Sequence, residues 1–176
     1  MGGDGYRVIL PSNSPLRDLT DKPALVVFLR SFGCTFCREA MADIAAVRSE
    51  IEAAGASIVF VHGATGEEAR PWFEKYGLHD ALQISDPGLE HYHAFGLGQT
   101  GMGALIDPNV WIRGASCAMA HGFGGQSVDM MRQLPGVFVV QGGDVLASYR
   151  HRSPADRPDY VRLVRSGIEG VTMSSL

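Results

Sequence analysis

Lysine is nearly absent from this chain. Of its 15 basic side chains only Lys22 and Lys75 are lysine, and 19 acidic residues bring the net charge to -4. No basic surface of the kind that recruits nucleic acid or anionic lipid is encoded, so neither is an expected partner. Cysteine is scarce too. Three residues, Cys34, Cys37 and Cys117, are too few and too odd for the disulfide framework of a small secreted domain. No apolar run approaches the length of a membrane span. The opening "MGGDGYRVIL" lacks a charged n-region followed by an apolar h-region. It also places Tyr6 where a myristoylation signal needs Ser or Thr. The expected address is the cytoplasm. There is no internal repeat and no low-complexity tract.

What is present is the composition of an ordinary globular protein. With 176 residues, 45% hydrophobic and 19% charged, residues 1–176 suit a single domain that can bury a core without disulfide staples. "PALVVFLRSF" (23–32) is a continuous apolar run, as in a strand buried on both faces. Cys37, Met41, Ile44, Val47 or Arg48, and Ile51 then recur at helical spacing until Gly55 stops the pattern. "SIVFVHG" (57–63) reads as a second buried strand. Thr65 followed by Glu68 is a capping-box signature, with Phe73 and Tyr76 facing the core and Pro71 predicting an irregular start. "ALQISDPG" is a short strand and turn, and "LEHYHAFGL" a short helix.

Alternating strands and helices predict an α/β fold with a largely parallel sheet. "GVFVVQGGDVLASYRH" (136–151) breaks the alternation, because two strand-like runs flank "QGGD", a hairpin signal. "RPDYVRLVRSGI" closes the chain as an amphipathic helix with Pro158 near its start. A βαβ core, a hairpin and a last helix make a thioredoxin-like arrangement, with a mixed central sheet flanked by helices. Residues 96–133 are too long for a plain connection. They read as an insertion before the hairpin, either a lid over one end of the sheet or a surface loop.

Cys34 and Cys37 lie where the first strand gives way to the first helix. They can be a redox pair, two metal ligands or two small core residues. At a helix N-terminus, free N–H groups and the helix dipole favour a thiolate. Cys34 is then the exposed nucleophile. Cys37, one turn on and facing inward, can attack a mixed disulfide at Cys34. A zinc knuckle needs a second C-x-x-C or paired ligands elsewhere, which the sequence does not contain. His91 with His93, and Cys117 with His121, are weaker metal candidates, with surface histidines as the plain alternative. Cys117 is read as a third redox thiol or a small buried residue. Met102, Met119, Met130 and Met131 suit an adaptable binding surface or core filling. Trp72 and Trp111 read as anchors of the core or the insertion.

The sequence resembles the thioredoxin superfamily. More narrowly, it looks like the peroxiredoxin-like proteins of the AhpC/TSA class, relatives of the SelL group. The likeness spans about residues 23 to 165. It rests on "FLRSFGCTFCREA", on "FEKYGL" before "DPGLEHYHAFGL", on "PNVWIRG" in the insertion, and on "QLPGVFVVQGGDVLASYRHRSPADRPDY". It implies thiol redox chemistry with a thiol electron donor, a disulfide or peroxide substrate, no cofactor and no metal. A homodimer stays open.

Peroxiredoxins carry Thr or Ser three residues before the reactive cysteine, and Ser31 fills that place. They also carry an arginine just before the "GxFxxD" strand, where this chain has Pro135. A proline there is the thioredoxin feature, usually a cis peptide, so Leu134–Pro135 is an expected cis bond. No acid stands at Phe28, where thioredoxins bury an aspartate. Arg30, Arg132 or Arg150 are candidates to replace the missing arginine in space. The expected function is a thiol-disulfide oxidoreductase using Cys34 and Cys37, with Ser31 and Pro135 completing the site. Disulfide turnover is expected to exceed peroxide turnover, because an oxyanion donor is missing. The alternatives are a peroxiredoxin-like thiol peroxidase and a non-catalytic binding module. The pairing of C-x-x-C with Pro135 weighs against a binding module.

Overall fold

The structure, a computed structural model, describes residues 5–99, 133–151 and 157–174. Its elements are β1 (Tyr6–Arg7), β2 (Ala24–Phe28), α1 (Thr35–Ala53), β3 (Ser57–His62), α2 (Gly66–Lys75) and β4 (Leu82–Ser85). They continue with α3 (Glu90–Ala94), β5 (Gly136–Gln141), β6 (Asp144–Arg150) and α4 (Tyr160–Ser174). The six strands form one sheet in the order β1-β6-β5-β2-β3-β4. β2, β3 and β4 are parallel, while β5, β6 and β1 add antiparallel ladders, so the α/β, thioredoxin-like fold has a mixed sheet. The bulk of 96–133, including Cys117, His121, Trp111, Arg132 and the four methionines named above, lies outside the described residues.

Both faces of the sheet are covered, and the period of two in each strand divides its side chains between them. Leu25 and Val27 of β2 join Phe60, Val137 and Val139 against Met41, Ile44 and Ile51 of α1, Phe73 of α2 and Val164 of α4. Val26 and Phe28 join Val59, Val61, Phe138 and Val140 on the other face, under Tyr92 and Phe95 and the N-terminal segment. This is why β2 reads as unbroken apolar sequence. Val47 packs on the core and Arg48 turns outward to Asp80 and Glu52. α4 approaches the sheet closely at Gly167, where a Cβ would stand 3.1 Å from Val139 Cγ1 and 3.3 Å from Ala147 Cβ. Gly142 and Gly143, both at positive φ, make the two-residue hairpin turn that "QGGD" signalled.

The capping box is present: Thr65 Oγ1 accepts from Glu68 N, and Glu68 Oε2 accepts from Thr65 N. Pro71 does not make the start irregular. α2 runs through it, since the bond it removes falls near the N-terminus and its side is exposed, so the orphaned carbonyl has solvent available. Leu134–Pro135 is trans, and no cis peptide bond occurs among the described residues. The expected cis bond came from a resemblance. The chain here keeps the isomer that an X–Pro bond prefers by about 0.5–1 kcal/mol.

Candidate active site

The site is built at the end of β2. Leu29 N donates to Val61 O at 2.9 Å, and the Tyr92 hydroxyl contacts the carbonyls of Leu29 and Val61. The strand end is therefore fixed before the chain turns through Arg30–Gly33. Cys34 follows as the N-cap of α1, with extended backbone (φ -82°, ψ 121°), and its carbonyl accepts from Cys37 N and Arg38 N. Both cysteines are free thiols, Cys34 half-buried and Cys37 buried. Sequence reasoning expected Cys34 exposed and Cys37 facing inward; Cys37 is buried, while Cys34 is more enclosed than expected because it lines a cleft with Phe36, Pro135 and Tyr160.

The two sulfurs interact, and the environment separates them. The Cys37 thiol donates a hydrogen bond to Cys34, holding the Cys34 thiol down to about 6. The charge of Arg30 and the first-turn N–H groups of Cys37 and Phe36 act in the same direction, while burial opposes them. None of these N–H groups makes a full capping bond to the sulfur, so they act through their field. Cys37 is pushed well above its usual value by the proton it shares with Cys34, by burial and by the negative charge beside it. Arg30 N and Ser31 N donate to Cys37 Sγ at 3.2 and 3.4 Å.

A narrow cleft of about 20 Å³ opens beside the pair, walled by Arg30, Phe36, Pro135, Val137, His151 and Tyr160. Pro135 is buried, and having no N–H it presents an apolar wall. Of the three arginines proposed to replace the missing one, Arg30 lines this cleft. Its Nε and Nη1 are buried without a hydrogen-bond partner among the described residues. Arg150 is committed elsewhere, to the carbonyls of Phe95 and Gly96 and the hydroxyl of Tyr6. Arg132 is outside the described residues. Ser31 is buried, and its Oγ accepts from Gly33 N at 3.1 Å.

His151 and Tyr160 were not foreseen. They arrive from the end of β6 and the start of α4, and no local motif marks them. Arg38 was also missed: it is fully buried on α1, donates from Nε to Phe32 O and lies 4.1 Å over the Trp72 ring. Its place one residue after Cys37, on the edge of the apolar stripe, was the only available signal. His62 is buried at the end of β3, with Nδ1 3.1 Å from Ala64 O. Burial holds its imidazole down to about 4, so it is neutral at working pH.

The histidine candidates for metal separate in space. His93 is exposed, while His91 Nε2 meets Ser14 Oγ at 2.9 Å and its Nδ1 lies 3.5 Å from Asp86 Oδ1. Ser14, His91 and Asp86 have the order of a hydrolytic triad. All three are buried, however, and Ser14 and Asp86 also accept backbone N–H groups of Leu16, Glu90 and His91. The line ties the N-terminal segment to α3. Among the described residues, no three His, Cys, Asp or Glu side chains are grouped to hold a metal ion, and no helix is long and apolar enough to cross a membrane.

The lowered Cys34 thiol has a measurable consequence. The rate of Cys34 alkylation by iodoacetamide is expected to be half-maximal near pH 6 and flat above about pH 7.5, since the thiolate is the nucleophile. Cys37 should stay unlabelled throughout. The sign for stability is the same: a folded value below the unfolded one, about 8.5, favours the folded state above that pH, and the gain disappears as pH falls through about 6. A labelling midpoint near 8.5 would mean that the Cys37 bond and Arg30 do not act on Cys34 as described.

The sequence and the fold have counterparts in known proteins. A model of the AhpC/TSA family matches residues 12–148. The curated prostamide/prostaglandin F synthase of Danio rerio is 26% identical over 154 residues, 83% of this chain and 74% of that protein. Among solved structures, reduced Prx3 from Vibrio vulnificus superposes with a TM-score of 0.65 at 16% identity, covering 96% of this chain and 99% of that one. The reduced Prx3 structure in complex with H2O2 gives 0.60 at 15% identity, with 92% and 93% covered. At these identities the structural likeness speaks for the fold.

Proposed function

The chain belongs to the AhpC/TSA family and is a thiol-dependent oxidoreductase, and from that premise we propose that it reduces hydroperoxides with Cys34 as attacking thiolate and Cys37 as resolving thiol. The observation that carries this reading is that Cys34, at the start of α1, and the buried Cys37 line one cleft together with Arg30, whose positive charge acts with Cys37 to lower the Cys34 thiol. The Cys34 thiolate attacks the terminal peroxide oxygen and the O–O bond breaks. The peroxide's own proton stays on the transferred oxygen, so Cys34 becomes a sulfenic acid, and the alkoxide leaves and takes a proton from solvent as the alcohol. Cys37 then attacks the Cys34 sulfur and gives its proton to the departing hydroxide, forming water and a Cys34–Cys37 disulfide. The N–H groups of Arg30 and Ser31 favour the negative charge on Cys37 as that proton leaves. An external thiol donor returns two electrons and restores both thiols.

The sequence argued for weak peroxide chemistry because an arginine is missing before β5. Arg30 supports the opposite, since it lines the cleft from the β2 side and its positive charge acts on Cys34. Ser31 supplies a hydroxyl in the same loop. Pro135 walls the cleft without competing donors. Disulfide exchange is the second reading, favoured by the C-x-x-C spacing, which needs only a thiolate and a resolving thiol. In either, the chain acts as one thioredoxin-like domain, with 96–133 inserted before the hairpin.

The test compares hydrogen peroxide, an alkyl hydroperoxide and a small disulfide as oxidants with one common reductant. Hydroperoxide turnover is expected to exceed disulfide turnover. Arg30→Met should lower hydroperoxide turnover by about 100- to 1000-fold, the usual cost of one oxyanion donor. Faster disulfide turnover, with little response to Arg30→Met, would leave disulfide exchange as the activity.

A further inference from the structure

Three strand ends meet at the cleft. The β5–β6 ladder closes on the pair Gly136–Arg150, and Gly136 also faces Phe28 of β2. One step past these residues, Leu29, Pro135 and His151 come to the same end of the sheet, and all three line the cleft with Cys34 and Cys37. Side chains alternate between the two faces along a strand. Arg150 lies on the Phe138 face, its guanidinium 5.2 Å over that ring. Tyr149 and His151, on either side of it, therefore turn to the opposite face, and Tyr149 stands across from Val137, which shares that layer with Cys37. His151 is buried there, its ring edge-on to Tyr149 at 5.4 Å and 82°.

Much of the cleft wall is apolar, with Phe36, Ala40, Pro135 and Val137 in it. Breaking an O–O bond leaves an electron pair on the departing oxygen, and an alkoxide is costly in such surroundings unless a group donates to it. The charged and titratable side chains around the cleft, among the described residues, are Arg30, Cys34, Cys37, His151 and Tyr160. Arg30 already acts on the sulfur, where it helps to hold Cys34 as the thiolate. Cys37 keeps its proton for the later step in which it meets the sulfenic acid. The Tyr160 hydroxyl is pushed up to about 13, chiefly by burial, and gives up its proton reluctantly. His151 is the donor that these roles leave over. An imidazole carries an N–H in either charge state, and it is the side chain best suited to passing protons near neutral pH.

We propose that His151 is the proton donor to the departing oxygen when Cys34 is oxidised. This rests on the hydroperoxide reading above, and it puts His151 in place of solvent as the immediate source of the proton in that step. The Cys34 sulfur bonds to the terminal oxygen, which keeps its hydrogen, and the O–O bond breaks. The other oxygen takes the electron pair and a proton from the His151 ring, and leaves as the alcohol or, from hydrogen peroxide, as water. Solvent returns a proton to the ring. Such a donor matters only where the leaving group is a strong base. Acetate departing from peracetic acid and iodide departing from iodoacetamide are weak bases and leave without a proton.

The experiment measures the single-turnover rate of Cys34 oxidation in the full chain at pH 7, with hydrogen peroxide, tert-butyl hydroperoxide and peracetic acid as oxidants. His151→Phe is expected to slow the first two by about 100-fold or more, which is what a positioned general acid contributes. Its rates with peracetic acid and with iodoacetamide should change less than about threefold, because neither leaving group needs the proton. His151→Gln keeps an N–H but cannot pass its proton on, and should fall between His151→Phe and wild type. Tyr160→Phe should show no selectivity among the oxidants. Equal slowing with all three oxidants, hydroperoxide rates equal to wild type in both His151 variants, or a selective loss in Tyr160→Phe without one in His151→Phe would overturn the proposal. If neither His151 variant folds, His151 is structural and the proposal ends. Absence of oxidation by either hydroperoxide in the wild-type chain is a separate outcome, which removes the hydroperoxide reading itself and the His151 role with it.

Discussion

Cys34→Ser protein is expected to lose at least about 1000-fold in turnover, with any oxidant that the wild-type enzyme reduces. The reason is acid–base chemistry. The Cys34 thiol is held down to about 6, so at pH 7 most of it is already the nucleophile. A serine hydroxyl in the same place stays protonated, and the neighbouring Cys37, whose thiol is pushed well above its usual value, is a proton donor there and not a base. Cys37→Ser should behave differently. Cys34 is still oxidised once, and the sulfenic acid accumulates instead of condensing, so a thiol-trapping reagent should find it on Cys34. Stopped-flow oxidation, followed by mass spectrometry of the trapped peptide, separates the two variants. More than about one per cent residual turnover in Cys34→Ser would move the chemistry to another thiol, with Cys117 the first to examine.

Phe138→Ala is expected to cost about 3–5 kcal/mol of folding stability, the range for deleting a buried aromatic ring. Phe138 is fully buried on β5, in the centre of the sheet. Its ring stands 5.6 Å from Phe28 and 4.9 Å from Phe95, and Phe28 in turn contacts Tyr92. The guanidinium of Arg150 lies 5.2 Å over the same ring. Removing Phe138 empties the centre of this cluster, and the paired strands on either side limit how far it can collapse. For a chain of this size the melting temperature should fall roughly 6–20 °C. The cysteines face the other layer, so the alkylation profile of the folded fraction should keep its midpoint near pH 6. A loss below about 1 kcal/mol in urea denaturation would mean the cluster repacks around the vacancy.

The elements that were legible beforehand are those whose signal is local. β2 is apolar at every position because both of its faces are covered, and α1 shows its buried stripe at a spacing fixed by helix geometry. Thr65 with Glu68, and Gly142 with Gly143, are short-range hydrogen-bond and backbone solutions, and they appear as expected. β1 was not expected, since two residues carry no periodicity and become a strand only because β6 offers an unpaired edge. Pro71 misled because a proline reads as a breaker, whatever the exposure of the carbonyl it leaves unbonded. The cis bond at Leu134–Pro135 rested on likeness to other proteins, and isomer choice is decided by packing around the bond.

The sequence by itself determined where the thiols sit and how they divide. Cys34 before the first turn and Cys37 inside it follow from a strand, a loop and a helix in succession, and the backbone places them whatever surrounds them. Among the described residues, tertiary structure alone decided which arginine accompanies them. Arg30, Arg132 and Arg150 were equivalent on paper, and folding ties Arg150 to the carbonyls of Phe95 and Gly96 while leaving Arg30 at the cleft. It also decided that His151 and Tyr160 wall the cleft and that Arg38 reaches Phe32 across its own helix turn. The physical reason is range. Backbone geometry and periodic burial act over a few residues and leave a mark in the order of the chain, whereas charge placement depends on which side chains the closed sheet brings together.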